Sequence, residues 1–237
     1  LLASRESIEL PDSPDENGVA VPLVDYILDK SAHPGALPLT ARAAEVELAL
    51  ASELVRQAVA DAGATWSWPA DGSAPSLHTL FLRGRVFTNA SSARDALVAA
   101  LDALQPRGIF KVVADAHGIL PAMGLLAAED PNMVVQILSG KDLDLWAWVV
   151  APGGRARQGD TVLNVSVQSA SQGVVEAEVS YGALEVLPMP LGERMTVDLK
   201  PAAGIDIGAG VGQSRQLTLS SASIGLVIDG RMKKPAR

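Results

Sequence analysis

The sequence predicts an α/β lobe followed by a small all-β barrel or sandwich. Between His78 and Leu138, two apolar runs at 79–82 and 109–114 alternate with segments whose apolar residues recur every three or four positions. That order of strand, helix, strand, helix implies a right-handed crossover and a sheet with helices packed on it. From Leu143 onward the pattern changes to short apolar or alternating runs between Gly, Pro and Ser, as strands joined by turns require. Hydrophobic residues make up 48% of the 237 and aromatics only 4%, so an aliphatic core is expected.

Taken in order, residues 1–36 read as an extended arm or linker. Pro11 to Gly18 is polar and rich in breakers, and 19–28 offers a short element with Val24, Ile27 and Leu28 on one helical face. Thr40 caps the longest helix signal, 41–62. There Val46, Leu50, Leu54 and Ala58 line one face, and Glu45, Glu47, Glu53, Arg56 and Asp61 lie mostly elsewhere. The loop 65–76 carries Trp66 and Trp68, either packed against the domain or displayed as a binding platform.

Ser92 is placed to cap a helix whose stripe is Ala93, Ala96, Leu97, Ala100, Leu101 and Leu104, ended by Pro106 and Gly108. Pro121 suits a first helical turn, and Asp130-Pro131 opens a last helix with Met133, Val134, Ile137 and Leu138. Seven strand-like runs follow, at 145–151, 161–167, 174–179, 183–187, 195–199, 215–219 and 224–228. These readings divide the chain into an arm (1–36), an α/β lobe (37–139), a β domain (140–231) and a tail (232–237), with the boundary near Ser139-Gly140.

Composition excludes several classes of function. The formal net charge is −8, and Lys and Arg cluster only in the short tail from Arg231, which argues against nucleic acid or an anionic membrane as partner. Without cysteine there is no disulfide, thiolate metal site or cysteine nucleophile. His33, His78 and His117 are scattered, with no pair at metal-ligand spacing. No apolar run reaches the roughly 18 residues of a membrane span. The N-terminus shows neither an initiator Met nor a signal-peptide pattern.

In an open α/β sheet, ligands gather at the carboxyl ends of the strands. Those ends are the 83–89 turn and Asp115, so Arg83, Gly84, Arg85 and Asp115 are the candidate ligand-binding residues. Asp115 with His117 reads either as an acid/base pair or as a turn and cap. Gly208-Ala209-Gly210-Val211-Gly212 lacks the helix that a dinucleotide fingerprint needs after it. It reads instead as an interstrand loop or bulge.

The order of these pieces resembles the C-terminal half of the glutamate mutase (methylaspartate mutase) accessory protein family, the L component. That family is unrelated to the mismatch-repair protein whose name it shares. The resemblance begins near Leu37-Pro38-Leu39-Thr40 and runs through 80–90. It is clearest in Gly118-Ile119-Leu120-Pro121-Ala122-Met123-Gly124-Leu125-Leu126 with Asp130-Pro131. Further pieces are Val149-Val150-Ala151-Pro152-Gly153-Gly154, Asp206-Ile207-Gly208-Ala209-Gly210 and Gly225 to Arg231.

The resemblance implies half of an actin/hexokinase/Hsp70-like ATPase fold, a cytoplasmic location, and service to a cobalamin-dependent mutase. It also implies an N-terminal lobe carrying the phosphate-gripping residues, which this chain does not contain. The family's adenosine turn, roughly Ile-Gly-Ser-Gly-Gly-Val-Leu, corresponds to Phe81-Leu82-Arg83-Gly84-Arg85-Val86-Phe87, where only Gly84 of three glycines remains. Leu82 and Arg85 are expected to bring side chains into the nucleotide's space. The expectation is a non-catalytic scaffold or assembly subunit without a cofactor, in a homo-oligomer or larger complex with protein subunits. The alternatives are part of an ATP-dependent reactivase whose N-terminal lobe is a separate chain, and a stand-alone β-domain binding protein.

Overall fold

The structure, a computed structural model, describes residues 23–62, 77–139 and 142–232. Trp66, Trp68, the segment 1–22 and the tail from Lys233 lie outside the described residues. Two compact units divide between Glu47 and Leu48, inside the long second helix.

In the first unit, helix α1 (Leu23–Ala32) and the start of α2 (Ala41–Ala62) are joined through a buried carboxylate. Glu47 is only 7% exposed. It accepts a hydrogen bond from the Tyr26 hydroxyl at 2.8 Å and pairs with Lys30 Nζ at 2.6 Å. Burial, then the hydrogen bond to Glu47, raises the Tyr26 hydroxyl well above the usual phenol range. Part of the expected arm is therefore a helix tied down by polar pairing. Glu47, expected on the wet side of α2, is an anchor. Along α2 the buried apolar residues are Val46 and Val59, while Leu54 of the expected stripe remains half exposed.

The second unit has three layers. Strand β1 (Thr79–Arg83) leads through a one-turn helix α3 (Arg85–Thr88) into α4 (Ala93–Leu104), and β2 (Gly108–Asp115) follows. Ser92 Oγ accepts the N–H groups of Arg94 and Asp95 at 3.1 and 3.4 Å, so α4 begins at the expected cap. The helices α5 (Leu120–Glu129) and α6 (Pro131–Leu138) pack on each other.

The rest is β: β3 (Asp144–Ala151), the two-residue β4 (Gly153–Gly154), β5 (Thr161–Ser169), β6 (Gly173–Ser180) and β7 (Leu184–Leu187). β8 (Arg194–Pro201), the two-residue β9 (Ile205–Asp206), β10 (Arg215–Ser220) and β11 (Gly225–Asp229) complete it. All seven expected runs are strands; the short β4–β9 pair had no signal of its own.

Strand pairing runs across the expected boundary at 139–140. A five-stranded mixed sheet has the order β1-β2-β3-β11-β7, with β1 parallel to β2 and β2 antiparallel to β3. β2 is apolar over most of its length, so it needs a neighbour on each side and a layer on each face. One face, with Phe110, Val112, Val149 and Val227, packs on Ala96, Leu97, Ala100 and Leu101 of α4. The other, with Val150, Leu226 and Ile228, packs on Leu163, Val165, Val197 and Leu199 of an antiparallel sheet ordered β10-β8-β5-β6. The two sheets make an open sandwich, and among the described residues no strand order closes into a barrel. Trp148 Nε1 donates to the Ser220 carbonyl at 3.0 Å and ties the sheets together. No described helix is long and apolar enough to cross a membrane.

Candidate functional site

The four candidate residues meet at one end of the five-stranded sheet. Register places Arg83 beside Asp115 at the carboxyl ends of the parallel pair β1–β2. The physical cause is the crossover itself, since both strands must finish at the same edge.

Asp115 is 1% exposed, and its environment explains why. Oδ1 accepts the N–H of Ile119 at 2.8 Å, and Oδ2 accepts that of Leu120 at 3.0 Å. These donors lie at the start of α5, where helical N–H groups lack partners and the helix dipole favours an anion. The Arg83 guanidinium approaches Oδ2 at 3.9 Å from an exposed position. Of the two readings of Asp115, the geometry matches the cap. His117 stands exposed on the following turn.

Gly84 carries φ 103°, and a Cβ there would meet open space, so the backbone angle alone calls for glycine. The N–H groups of Phe87 and Thr88 both bond the Gly84 carbonyl at 3.0 Å, and that of Asn89 bonds the Arg85 carbonyl at 2.8 Å. Those three donors are engaged inside the turn. Arg85 begins α3 with its side chain exposed.

Leu82 departs from expectation. Strand alternation turns it inward with Leu80, so it is buried against α4 instead of entering the space above the turn. Arg83 and the exposed Phe81 take the opposite direction.

The glycine run 208–212 is a loop ahead of β10. Asp206 Oδ1 accepts the N–H groups of Gly208 and Gly210 at 2.7 and 3.0 Å, which closes the loop on itself. Gly208 approaches Gly108 so closely that a Cβ would lie 3.2 Å from its Cα.

On the outer face of the four-stranded sheet, Asn164, Ser166, Glu176, Glu178, Asp198 and Lys200 border an open depression of about 470 Å³. Two of its carboxylates bond within the ladder, Asp198 with Gln216 Nε2 at 2.8 Å and Glu178 with the Thr161 hydroxyl. Among the described residues no group of three or more acidic or imidazole side chains could hold a metal ion.

Comparison with curated proteins and with solved structures found no match. A family model described as MutL protein matches residues 12–142, more than half of the chain. The match takes in α1 to α6, with Arg83, Gly84, Arg85 and Asp115, and stops before the 149–154, 206–210 and 225–231 segments. The chain belongs to the MutL protein family, that of the glutamate mutase L proteins.

Proposed function

We infer that this chain is a non-catalytic member of the family, acting as a scaffold or assembly subunit among protein partners. The observation that carries the reading is the state of Asp115. It is the only carboxylate at the carboxyl ends of β1 and β2 and in the turns that directly follow them, and both of its oxygens face backbone N–H groups of α5. A carboxylate held this way positions a helix, and at 1% exposure its remaining lone pairs are closed off from solvent. Support also comes from the 83–89 turn, where the N–H groups of Phe87, Thr88 and Asn89 are bonded internally and Arg85 stands where the family pattern has glycine. The parallel β1–β2 pair with its helical crossover is consistent with a remnant of an actin-like lobe over 37–139, to which the strands after 143 add a sandwich.

Titration calorimetry with ATP and ADP tests the reading. No binding is expected for this chain. A dissociation constant below roughly 10 μM, equivalent to about −7 kcal/mol, would overturn it and favour the ATP-dependent reactivase.

A further inference from the structure

The five-stranded sheet has a second pair of parallel strands, whose carboxyl ends lie at the edge opposite Asp115. β3 and β11 run parallel to each other and antiparallel to β2, so they finish near Ala151 and Asp229, where β2 begins. Ligands gather at such ends as readily as at those of β1 and β2. A cleft at this edge has Gln105, Arg107 and Asp229 as its polar lining, with Leu101, Pro152 and Met232 among its apolar walls. Its volume is about 20 Å³, room for roughly one or two water-sized groups.

The polar groups of the cleft are unequally committed. Nε and Nη2 of Arg231 donate to the two oxygens of Asp229 at 2.7 Å, and its Nη1 pairs with Asp102 at 2.7 Å. Arg107 has no carboxylate of its own. Like Arg155 and Arg157 on the exposed loop after β4, it forms no ion pair among the described residues. The acids of the neighbouring loops are used otherwise, Asp160 by the Arg157 N–H at 2.9 Å and Asp206 by the 208–210 loop. Gly153 makes room for the Arg107 side chain, since a Cβ there would lie 3.2 Å from Arg107 Cδ. Gln105 ends α4 in the left-handed conformation, and its Oε1 is enclosed without a donor from any described residue. An unpaired enclosed acceptor is costly, so that oxygen gives up no hydrogen bond when the amide turns toward a ligand.

We propose that this cleft binds a hydrogen phosphate group, free or at the end of a small molecule. Arg107 supplies the cation for its charged oxygens, and Gln105 Oε1 accepts a hydrogen bond from its P–OH. A carboxylate or a sulfate is fully ionised at neutral pH and offers Oε1 no donor. The small volume seats one edge of the group and leaves its other oxygens toward solvent. Arg107 also follows the carboxyl end of α4, where a cation suits the helix dipole; binding measurements separate the two roles.

Titration calorimetry of the full chain with inorganic phosphate at neutral pH should give a dissociation constant on the order of 1 mM. Sulfate and acetate at matched ionic strength should bind at least ~10-fold more weakly. Arg107→Ala should weaken phosphate binding at least ~10-fold, and Gln105→Met should erase the preference over sulfate, both with circular dichroism unchanged. Arg194→Ala, at the exposed start of β8, should bind as the wild type does. Tighter binding of glycerol phosphate than of phosphate would place the ligand among phosphate esters, and the reverse order would assign free phosphate. No binding up to ~10 mM phosphate, sulfate bound as tightly, or an Arg107→Ala chain with wild-type affinity would overturn the proposal, the last leaving Arg107 as a helix-end cation only. The site does not rest on the non-catalytic reading: ATP binding tighter than about 10 μM that survives Arg107→Ala would count against that reading alone.

Discussion

Replacing Asp115 by Ala removes both acceptors at the start of α5 and leaves the N–H groups of Ile119 and Leu120 without partners. Loss of an N-cap costs about 0.5–2 kcal/mol. Loss of an anion at the helix N-terminus adds about 0.3–1 kcal/mol. The two stranded donors bring the total toward ~3 kcal/mol, since each unsatisfied buried group costs about 1–3 kcal/mol and the cap term already includes part of that. Asp115→Asn keeps one acceptor oxygen and should cost about half as much. Arg83→Ala should cost no more than ~1 kcal/mol, because its contact is long and its side chain exposed. Urea unfolding monitored by circular dichroism ranks the three. In a thermal scan the Ala variant should melt about 6–12 °C below wild type, given about 2–4 °C per kcal/mol in a unit of this size. An Ala variant within ~0.5 kcal/mol of wild type, the usual range of a neutral surface change, would show that the carboxylate is not a structural cap. An Arg83→Ala cost equal to that of Asp115→Ala would mean that the ion pair dominates.

Two further outcomes follow from residues outside the site. Tyr26, raised by burial and by Glu47, keeps its proton above the ordinary phenol value near 10, so its hydrogen bond is fully present below that pH and is lost only as pH rises through the higher folded value. Phenolate absorbance of the wild type and of Tyr26→Phe should therefore coincide up to about pH 11; an extra phenolate in the wild type by then would refute the Glu47 anchor. Gly225 has φ 117°, and a Cβ there would sit 2.3 Å from the Leu187 carbonyl oxygen. Gly225→Ala should cost at least ~2 kcal/mol in urea unfolding by parting β11 from β7, and a change under ~0.5 kcal/mol would contradict that register.

Local structure was legible where one residue type answers one local need. Ser92 announced α4, Pro121 and Asp130-Pro131 announced the two helices after β2, and every long strand after Leu143 showed its apolar run. Neighbour order was not legible. Periodicity states which face of a strand is buried but not which strand lies beside it, so β3 and β11 read as part of a separate β domain although they extend the sheet of β1 and β2. The candidate site divides in the same way. Asp115 was visible as a strand-end carboxylate, but its role depends on where the Ile119 and Leu120 N–H groups point. Leu82 was misplaced because a family pattern treated it as a turn residue, whereas strand alternation sends it into the core. Glu47 was misplaced because charge alone assigns a side chain to water; its partners Tyr26 and Lys30 lie on another helix.

The position of β11 has a consequence for synthesis. It is the last described strand, yet it lies inside the five-stranded sheet, parallel to β3 and antiparallel to β7. Leu226 and Ile228 fill the core between the sheets, and Val227 fills the core beneath α4. A nascent chain leaving the ribosome would have made both flanking strands while the slot between them stood empty, with two apolar layers still open. Neither core can close until residues near 229 emerge. Closure of this unit is therefore expected to wait for β11, with pairings of high sequence separation setting its rate.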